Sequence, residues 1–387
     1  MIKFWVYLNS DTFVWVEEDS FLVFNTITRE SILGNCDGYL KEILCSLSNV
    51  GSLYCIEVEE RVCEDDSVRS FLTRLEMSTC GGYKISTNNH KDRPICLPPI
   101  PNIQSEISRR KENKTFCHIS YLNHITIHYG MEVDQDVILN SLNEFIYRKP
   151  AISIEMTPTS SPTEQNNLIS FLRELSAIEY TISLNLPYEL FVKHTDFVVS
   201  AIPLIKTLYV KSGRWTKDMC LEIKNKYTGN FVIFADVKSE KEYERISQLQ
   251  DSFSPDFPIV ITPCYTGSNS SFVSSLISYK KEDVLLQEIS KSGIFRHMLI
   301  NTNFFGKLQL QNNGNIVSPS GRVVLSSIHK ENCWEEASRL ECERPASEWY
   351  MTRELHSELC SECTLKYLCP SPSLIEIISG CLPPCRL

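Results

Sequence analysis

Six short apolar runs decide the fold of this chain: HITIHY at 124–129, AISIEM at 151–156, YTISLNL at 180–186, TLYVK at 207–211, FVIFAD at 231–236 and PIVITP at 258–263. Each run is rich in β-branched residues, and an amphipathic helical pattern follows it. Repeated strand–helix units with right-handed crossovers give a parallel sheet. Six units, two fewer than a closed barrel needs, predict an α/β fold with a partial (β/α)6 barrel over residues 118–300. A flat doubly wound sheet is the alternative.

Residues 1–86 predict a separate α+β domain. Three alternating runs are separated by polar turns and predict a β-meander: Phe4–Leu8, Thr12–Glu17 and Phe21–Asn25. Two amphipathic helical patterns with a strand-like run between them follow, and Gly81-Gly82 ends the second. A sheet followed by helices resembles the winged-helix, PqqD-like elements that grip a leader peptide by adding it to a sheet edge. A plain α+β cap on the next domain is the alternative.

Two further segments complete the predicted organisation. The composition changes to Asn, Lys, Pro and Ser after Ser86, which predicts a linker over residues 87–117. Residues 301–387 leave the strand–helix pattern. In that segment Asn312-Asn313-Gly314 predicts a tight hairpin turn, and a cysteine-rich tail follows.

The composition of the chain restricts the classes of partner and the cellular compartment that we expect. The net charge of -10 over 387 residues argues against nucleic acid or anionic lipid, and a basic peptide or protein is easier to accommodate. No apolar run is long enough for a membrane span, and MIKFWVYLNSD lacks the features of a secretory signal, so we expect a cytoplasmic protein. Sixteen cysteines in a reducing compartment favour thiols or metal ligation over disulfides.

The tail carries a candidate cofactor site. Cys360, Cys363 and Cys369 stand as CxxCxxxxxC, and Cys381 and Cys385 follow. A CxxC turn lets two thiolates reach one metal centre while distant cysteines complete the set. These residues suit an iron-sulfur cluster, and the same cysteines would suit zinc. One of the last two would be the fourth ligand, unless both belong to a flexible end.

The tail also carries a family resemblance. The stretch CSECTLKYLCPSPSLIE at 360–376, with Trp349 and Arg353 upstream, is similar to that of radical SAM peptide maturases with a SPASM domain. It resembles most closely the pseudo-radical-SAM proteins of GG-type Bacteroidales peptide-modification systems, over nearly the whole chain. The resemblance implies maturation of a ribosomally synthesised peptide, with a precursor peptide and a cognate radical SAM maturase as partners.

The chain departs from the radical SAM pattern at the barrel. Such enzymes carry CxxxCxxC after the first barrel strand and a Gly-Gly-Glu turn after the second, where this chain has HYGMEVDQDVIL and EMTPTSS. The resemblance therefore implies a non-catalytic pseudoenzyme that neither binds nor cleaves S-adenosylmethionine. Pro319 and Ser373 stand where the first auxiliary cluster of a SPASM domain has cysteines. The cysteines that bind the second auxiliary cluster are retained, so the resemblance implies one [4Fe-4S] cluster, with zinc as the alternative.

Other candidate residues are weaker and are compatible with a different class of protein. Glu155 and Asp236 end predicted strands, where parallel barrels place catalytic groups, although a strand end also suits a solvated carboxylate. His118, His124 and His128 lie at or before the first barrel strand. His124 and His128 would share a face, so a metal pair is conceivable, although packed or surface histidines are more common. Cys333 and Cys342 could be extra ligands, although nothing in their spacing requires it. The alternative function is thus a barrel enzyme of different chemistry with a structural zinc in the tail. A purely structural scaffold is the third hypothesis.

Overall fold

The computed structural model describes residues 2–86, 92–96, 118–130, 132–146, 148–157, 162–226, 231–253 and 256–380, which form a mixed α/β protein with a large parallel sheet. Its strands are β1 (Lys3–Leu8), β2 (Thr12–Glu17), β3 (Ser20–Asn25), β4 (Ser31–Asn35), β5 (Cys55–Glu59), β6 (Gly81–Ile85), β7 (His124–His128), β8 (Ala151–Glu155), β9 (Ile182–Pro187), β10 (Thr207–Ser212), β11 (Phe231–Val237), β12 (Ile259–Pro263), β13 (Lys307–Leu310), β14 (Asn315–Val317) and β15 (Val324–Ser327).

The α-helices are Gly38–Ser48, Glu60–Cys63, Asp66–Met77, Gln135–Leu142, Pro162–Ala177, Tyr188–Lys193, Thr195–Ala201, Lys217–Lys226, Glu240–Phe253, Ser270–Leu276, Lys281–Leu286, Lys291–Leu299, Cys333–Glu343, Arg353–His356, Glu358–Ser361 and Leu374–Ser379. Short 3-10 turns occupy Val50–Ser52, His118–Tyr121 and Ile202–Leu204. Within the described ranges, none of these helices combines the length and apolar character needed to cross a membrane.

The N-terminal strands pair differently from the predicted meander. The meander is β2-β3-β4, whereas β1 is the centre of a second sheet of order β5-β1-β6. The first polar turn directs β1 away from β2, because the Asn9 N–H donates to the Cys80 carbonyl at 2.9 Å and its side-chain amide donates to the Thr79 carbonyl at 2.7 Å. The prediction that β1 belongs to the meander is therefore wrong.

The double glycine belongs to a strand that the sequence analysis missed. The preceding helix ends at Met77, and Gly81 and Gly82 begin β6. A Cβ at Gly81 would lie 2.2 Å from the Tyr7 carbonyl oxygen, so only glycine lets β6 approach β1 this closely.

The two faces of the β2-β3-β4 meander bury different parts of the molecule. Val14, Phe21, Val23 and Ile32 pack with the helices Gly38–Ser48 and Asp66–Met77. The opposite face packs with the C-terminal region through a separate cluster, which contains Phe13, Trp15, Leu22, Phe24, Val284, Ile294, Leu365, Leu368 and Cys369. Because side chains alternate along a strand, one short sheet joins its own helices to the cysteine-rich tail.

The large sheet has the order β12-β11-β10-β9-β8-β7-β13-β14-β15. All six predicted strands are present, and each pairs in parallel with the next, without the reversal of order that a doubly wound sheet requires. β13 adds to the other side of β7 in parallel, which the sequence analysis did not anticipate. The hairpin is confirmed, because β13 and β14 are antiparallel and Gly314 has a φ of 83° in the turn.

Alternation along these strands gives the large sheet two unlike faces. The first face is fully buried and aliphatic, and it includes Ile125, Ile127, Ile152, Ile154, Leu184, Leu208, Val210 and Ile233. The other face is polar near β7. Ser153 and Asn185 are buried there, and Thr126, His128, Glu155 and Ser183 are half-buried. The polar face and its carboxyl edge are where a functional site can form.

Candidate functional site

A chain of paired polar groups crosses the carboxyl edge of the parallel strands. Glu155 at the end of β8 accepts from Lys211 Nζ of β10 at 2.9 Å through Oε1, while its Oε2 lies 3.4 Å from His128 Nδ1 of β7. The Asn185 amide of β9 is 3.5 Å from Glu155 Oε1. Parallel strands end at one edge, so residues distant in sequence meet there.

His128 is held between two acceptors. The Gln309 amide nitrogen donates to the Pro319 carbonyl at 2.5 Å, which leaves Gln309 Oε1 as the acceptor for His128 Nε2 at 2.9 Å. The other ring nitrogen faces the Glu155 carboxylate. The imidazole of His128 therefore links Gln309 of β13 to Glu155 of β8.

Asp236 lies at the outer end of the same edge, on β11. Partial desolvation raises the pKa of its carboxyl, against the lowering influence of Lys211 and Lys238. Beside it, Tyr209 and Phe234 form a ring contact at 5.3 Å, and Lys211 Nζ lies 6.0 Å from the Phe234 ring centroid. The sequence analysis singled out Glu155, Asp236 and His128 separately. The structure joins Glu155 and His128 through Lys211 and Gln309 in one network, which we call the edge network. Asp236 lies beside this network, within electrostatic range of Lys211.

The other histidines do not join this network. His118 lies at the opposite end of β7, where its Nδ1 is 3.5 Å from Glu335. His124 shares the polar face with His128, but burial and the adjacent Lys307 lower the pKa of its imidazole. Burial also lowers the pKa of the Lys307 ammonium. A histidine metal pair therefore gains no support from these positions.

The first two tail cysteines form one turn. The Cys360 N–H donates to Ser357 Oγ at 3.2 Å, which caps the helix Glu358–Ser361, and the Cys363 N–H donates to the Cys360 carbonyl at 3.3 Å. Burial raises the pKa of the Cys363 thiol, and the neighbouring Cys360 raises it further. This CxxC turn fits half of a thiolate ligand set.

The third tail cysteine belongs to the neighbourhood of Arg353. Cys369 is 6% exposed, and its thiol interacts electrostatically with Arg353 and Tyr279. Among the described residues, no three His, Cys, Asp or Glu side chains lie close enough to hold a metal ion. Cys381 and Cys385 lie outside the described residues. The donor chemistry thus fits a cluster or zinc, but the thiols of 360–369 would have to converge to bind it.

A buried ion pair connects Arg353, upstream of the cysteine motif, with Glu376, downstream of it. Arg353 and Glu376 are 3% and 0% exposed, the Arg353 guanidinium donates to both carboxylate oxygens, and its Nε donates to the Pro370 carbonyl at 2.7 Å. Glu376 also accepts from the Ser373 N–H at 2.7 Å, completing a capping box. Sequence reasoning missed Glu376, although Ser-x-x-Glu before an apolar run is the signature of such a box.

The other residues that the sequence analysis named, Trp349, Cys333 and Cys342, contribute to the fold rather than to a site. Trp349 is fully buried and its Nε1 donates to the Lys307 carbonyl at 2.9 Å. Cys333 lies 3.3 Å from a Glu144 carboxylate oxygen, and Cys342 lies 3.7 Å from the Tyr350 hydroxyl. Neither cysteine belongs to a described metal-binding group.

The meander presents an open strand edge. Asn25 N–H donates to the Glu30 carbonyl and Cys36 N–H donates to the Asp19 carbonyl. The antiparallel ladder alternates, so the backbone groups of Ser31, Leu33 and Asn35 point away from β3. In the described part of the chain, no backbone or side-chain group bonds to them. β12 at the far edge of the large sheet is less open, because it ends at Pro263 and its Ile259 carbonyl accepts from Gln250.

Comparisons with known proteins give structural similarity without a family. No family model matches the chain, and no curated protein matches it. The structure of Streptococcus suis SuiB is 11% identical with a TM-score of 0.43, over 98% of this chain and 100% of that chain. SuiB bound to S-adenosylmethionine is 14% identical with a TM-score of 0.41, covering 96% of each chain. SuiB bound to precursor peptide SuiA is 11% identical with a TM-score of 0.42, covering 96% of this chain and 97% of that chain.

Proposed function

We propose that the protein is a non-catalytic accessory component of a system that modifies a ribosomally synthesised peptide, and that it holds the precursor peptide for a separate radical SAM maturase. The observation that carries this proposal is the open edge of β4 in the N-terminal α+β domain. An extended peptide can add there as a fourth strand of the meander, with main-chain hydrogen bonds for affinity and alternate side-chain pockets for selectivity.

The edge is supported on both sides. Ile32 of β4 is buried against the N-terminal helices, and Leu33 packs on the other face with the C-terminal cluster. Three outward residues on a strand of five give an added peptide two or three positions at which both N–H and C=O groups pair. A strand fixed by packing on both faces loses little conformational freedom on binding, which favours affinity.

The missing cysteines after β7 support the proposed absence of radical initiation. No cysteine occurs between Cys117 and Cys220, so the loop after β7 has no thiolate for a cluster. In our proposal the parallel strands keep the partial-barrel arrangement, and paired side chains occupy its mouth. The barrel then serves as a docking surface for the peptide or the maturase, since orientation does not require the initiating cluster.

The tail is proposed to hold one [4Fe-4S] cluster through Cys360, Cys363, Cys369 and either Cys381 or Cys385, with zinc as the alternative. Support comes from the CxxC turn and from its packing against the meander. When bound, the group would cross-link the thiol loop that contacts β2 and β3, so its role would be structural.

Co-expression tests the function. A precursor peptide and a radical SAM maturase of the proposed system would be produced with wild-type protein, with Asn35→Pro, or with Ile85→Pro, and the peptide would be weighed. Proline at Asn35 removes an outward N–H of β4 without breaking the ladder to β3. Ile85 is a matched control, because it is 62% exposed and its N–H points outward on the β6 edge of the neighbouring sheet. We expect modification to fall with Asn35→Pro alone; equal modification in all three samples would contradict the proposal.

The edge network also favours a second candidate, a barrel enzyme of different chemistry with structural zinc in the tail. A carboxylate, an ammonium and an imidazole at the carboxyl edge of parallel strands are suited to acid–base chemistry. This candidate predicts one zinc per chain and a mass change in the peptide without maturase or S-adenosylmethionine, abolished by Glu155→Gln. Iron in the protein and an unchanged peptide would exclude it.

A further inference from the structure

An unpaired cation stands beside the open edge of β4. Arg74 lies in the last turn of the helix Asp66–Met77, and its Nη1 is 3.8 Å from the position of a Cβ on Gly34. In the described part of the chain, the Arg74 guanidinium has no ion pair or hydrogen bond. By contrast, Arg69 of the same helix donates to the Glu64 carbonyl at 2.8 Å and lies 3.5 Å from Asp66.

Gly34 has no side chain, and Arg74 lies next to the space that a side chain there would fill. A Cβ at Gly34 would lie 3.1 Å from the Phe21 ring, which is itself fixed by an edge contact with Phe71 of the helix at 5.7 Å. Because Gly34 has no side chain, the surface of β4 leaves room at this position for a side chain of an added strand. Any side chain of an added strand that points to the helix side next to Gly34 therefore meets the guanidinium of Arg74.

From this juxtaposition we propose that Arg74 is a specificity-determining residue, and that the peptide bound at β4 carries an Asp or Glu opposite Gly34. This inference rests on the proposed function, because it needs a peptide on the β4 edge. It runs against the basic partner that the net charge of -10 favours. Local pairing decides register and choice of partner, whereas net charge acts at longer range and is screened by salt.

The expected effect is modest because Arg74 is exposed. Exposed ion pairs contribute about 0.2–1 kcal/mol, which corresponds to a change of about 1.5- to 5-fold in Kd. The preference should weaken as ionic strength rises, since the Debye length shortens from about 10 Å at 0.1 M to about 3 Å at 1 M salt.

Selection from a library of random twelve-residue peptides displayed on phage tests the inference with the full-length protein. Wild type, Arg74→Glu and the matched control Arg69→Glu would each be used as bait. We expect one position enriched in Asp and Glu for wild type and Arg69→Glu, and in Lys and Arg for Arg74→Glu. A double-mutant cycle would then combine Arg74→Ala in the protein with Asp→Asn or Glu→Gln in a selected peptide. It would give the coupling free energy between Arg74 and the acidic residue of the peptide.

The outcomes separate the inference from the function on which it rests. Peptides that lose affinity with Asn35→Pro but show no acidic preference would overturn the role of Arg74 and leave edge binding intact. Peptides whose affinity survives Asn35→Pro bind elsewhere and would overturn both. A selection that enriches nothing on wild type would also count against both.

Discussion

Lys366, within the cysteine motif, donates to Glu17 Oε1 of β2 at 2.6 Å and is 4% exposed. The same ammonium donates to the Ser361 carbonyl at 2.6 Å, and Tyr367 contacts Trp15 at a ring distance of 5.8 Å. The thiol loop and the N-terminal meander therefore share one packed interface. Deleting residues 1–86 would uncover that apolar interface, so point variants at the β4 edge test peptide binding more cleanly than truncation does.

Lys366→Met should loosen this interface. The substitution keeps an apolar stem but removes the donor from Glu17 and from the Ser361 carbonyl, and we expect a loss of about 1–3 kcal/mol in the free energy of unfolding. Hydrogen exchange in β2 should quicken. Lys330→Met removes a largely exposed pair with Glu336 and should cost less than about 1 kcal/mol. Equal effects of the two variants in urea denaturation would contradict the role assigned to Lys366.

Arg353→Met should be strongly destabilising. It leaves the Glu376 carboxylate buried without its cation, and breaking a buried pair in this way costs about 3–5 kcal/mol. Arg339→Met is the surface comparison, because the Arg339–Glu343 pair is about half exposed and should contribute less than about 0.5 kcal/mol. Chemical denaturation of both variants provides the measurement, and a loss below 1 kcal/mol for Arg353→Met would show that the pair is not buried as described.

Acidification should destabilise the protein through two half-buried histidines, His356 and His297. Burial lowers the pKa of His356 and of His297, and His356 Nε2 is a buried atom without a hydrogen-bond partner among the described residues. The unfolded chain takes up the proton near pH 6.5, before the folded state does, so stability is fully present above that pH and falls below it. His356→Phe should lose less stability than wild type between pH 7.5 and 5.5 in urea titrations; an unchanged or steeper loss would refute this assignment.

The cysteine assignment predicts which thiols carry metal. Cys360→Ser, Cys363→Ser and Cys369→Ser should each lower the iron and sulfide content of anaerobically reconstituted protein from about four per chain. Cys342→Ser is the control, since the Cys342 thiol lies beside the Tyr350 hydroxyl, away from the motif. Iron retained in all three tail variants, or lost equally in the control, would remove the tail from the proposed site. Zinc at one per chain would support the alternative metal.

Local sequence patterns predicted the strands of the large sheet well. Strand pairings between residues distant in sequence could not be predicted from such patterns. The apolar runs around Ile125 and Ile152 show their strands directly, because parallel strands are buried on one face and repeat with their helices. The place of β1 depends on contacts between Asn9 and residues 79–80, which no local pattern displays. Likewise, the pair Gly81-Gly82 is equally compatible with a helix end and with a strand that needs close backbone approach.

The candidate site was predicted only in parts. Glu155 and Asp236 stood out because they end strands, and His128 stood out as part of a possible histidine metal pair. Lys211 and Gln309, which connect Glu155 and His128, are ordinary polar residues in the sequence. Their meeting depends on strand order and register, and β13 was not expected next to β7. The open edge of β4 was hidden for the same reason, since its strand was assigned to no element.

Amide hydrogen exchange with and without a peptide selected on the wild-type protein tests the central claim most directly. Edge binding predicts slower exchange at the outward amides of Ser31, Leu33 and Asn35 when peptide is present, with no change at Tyr83 and Ile85 on β6. Protection confined to β6 or to the edge network, with β4 unchanged, would contradict the account.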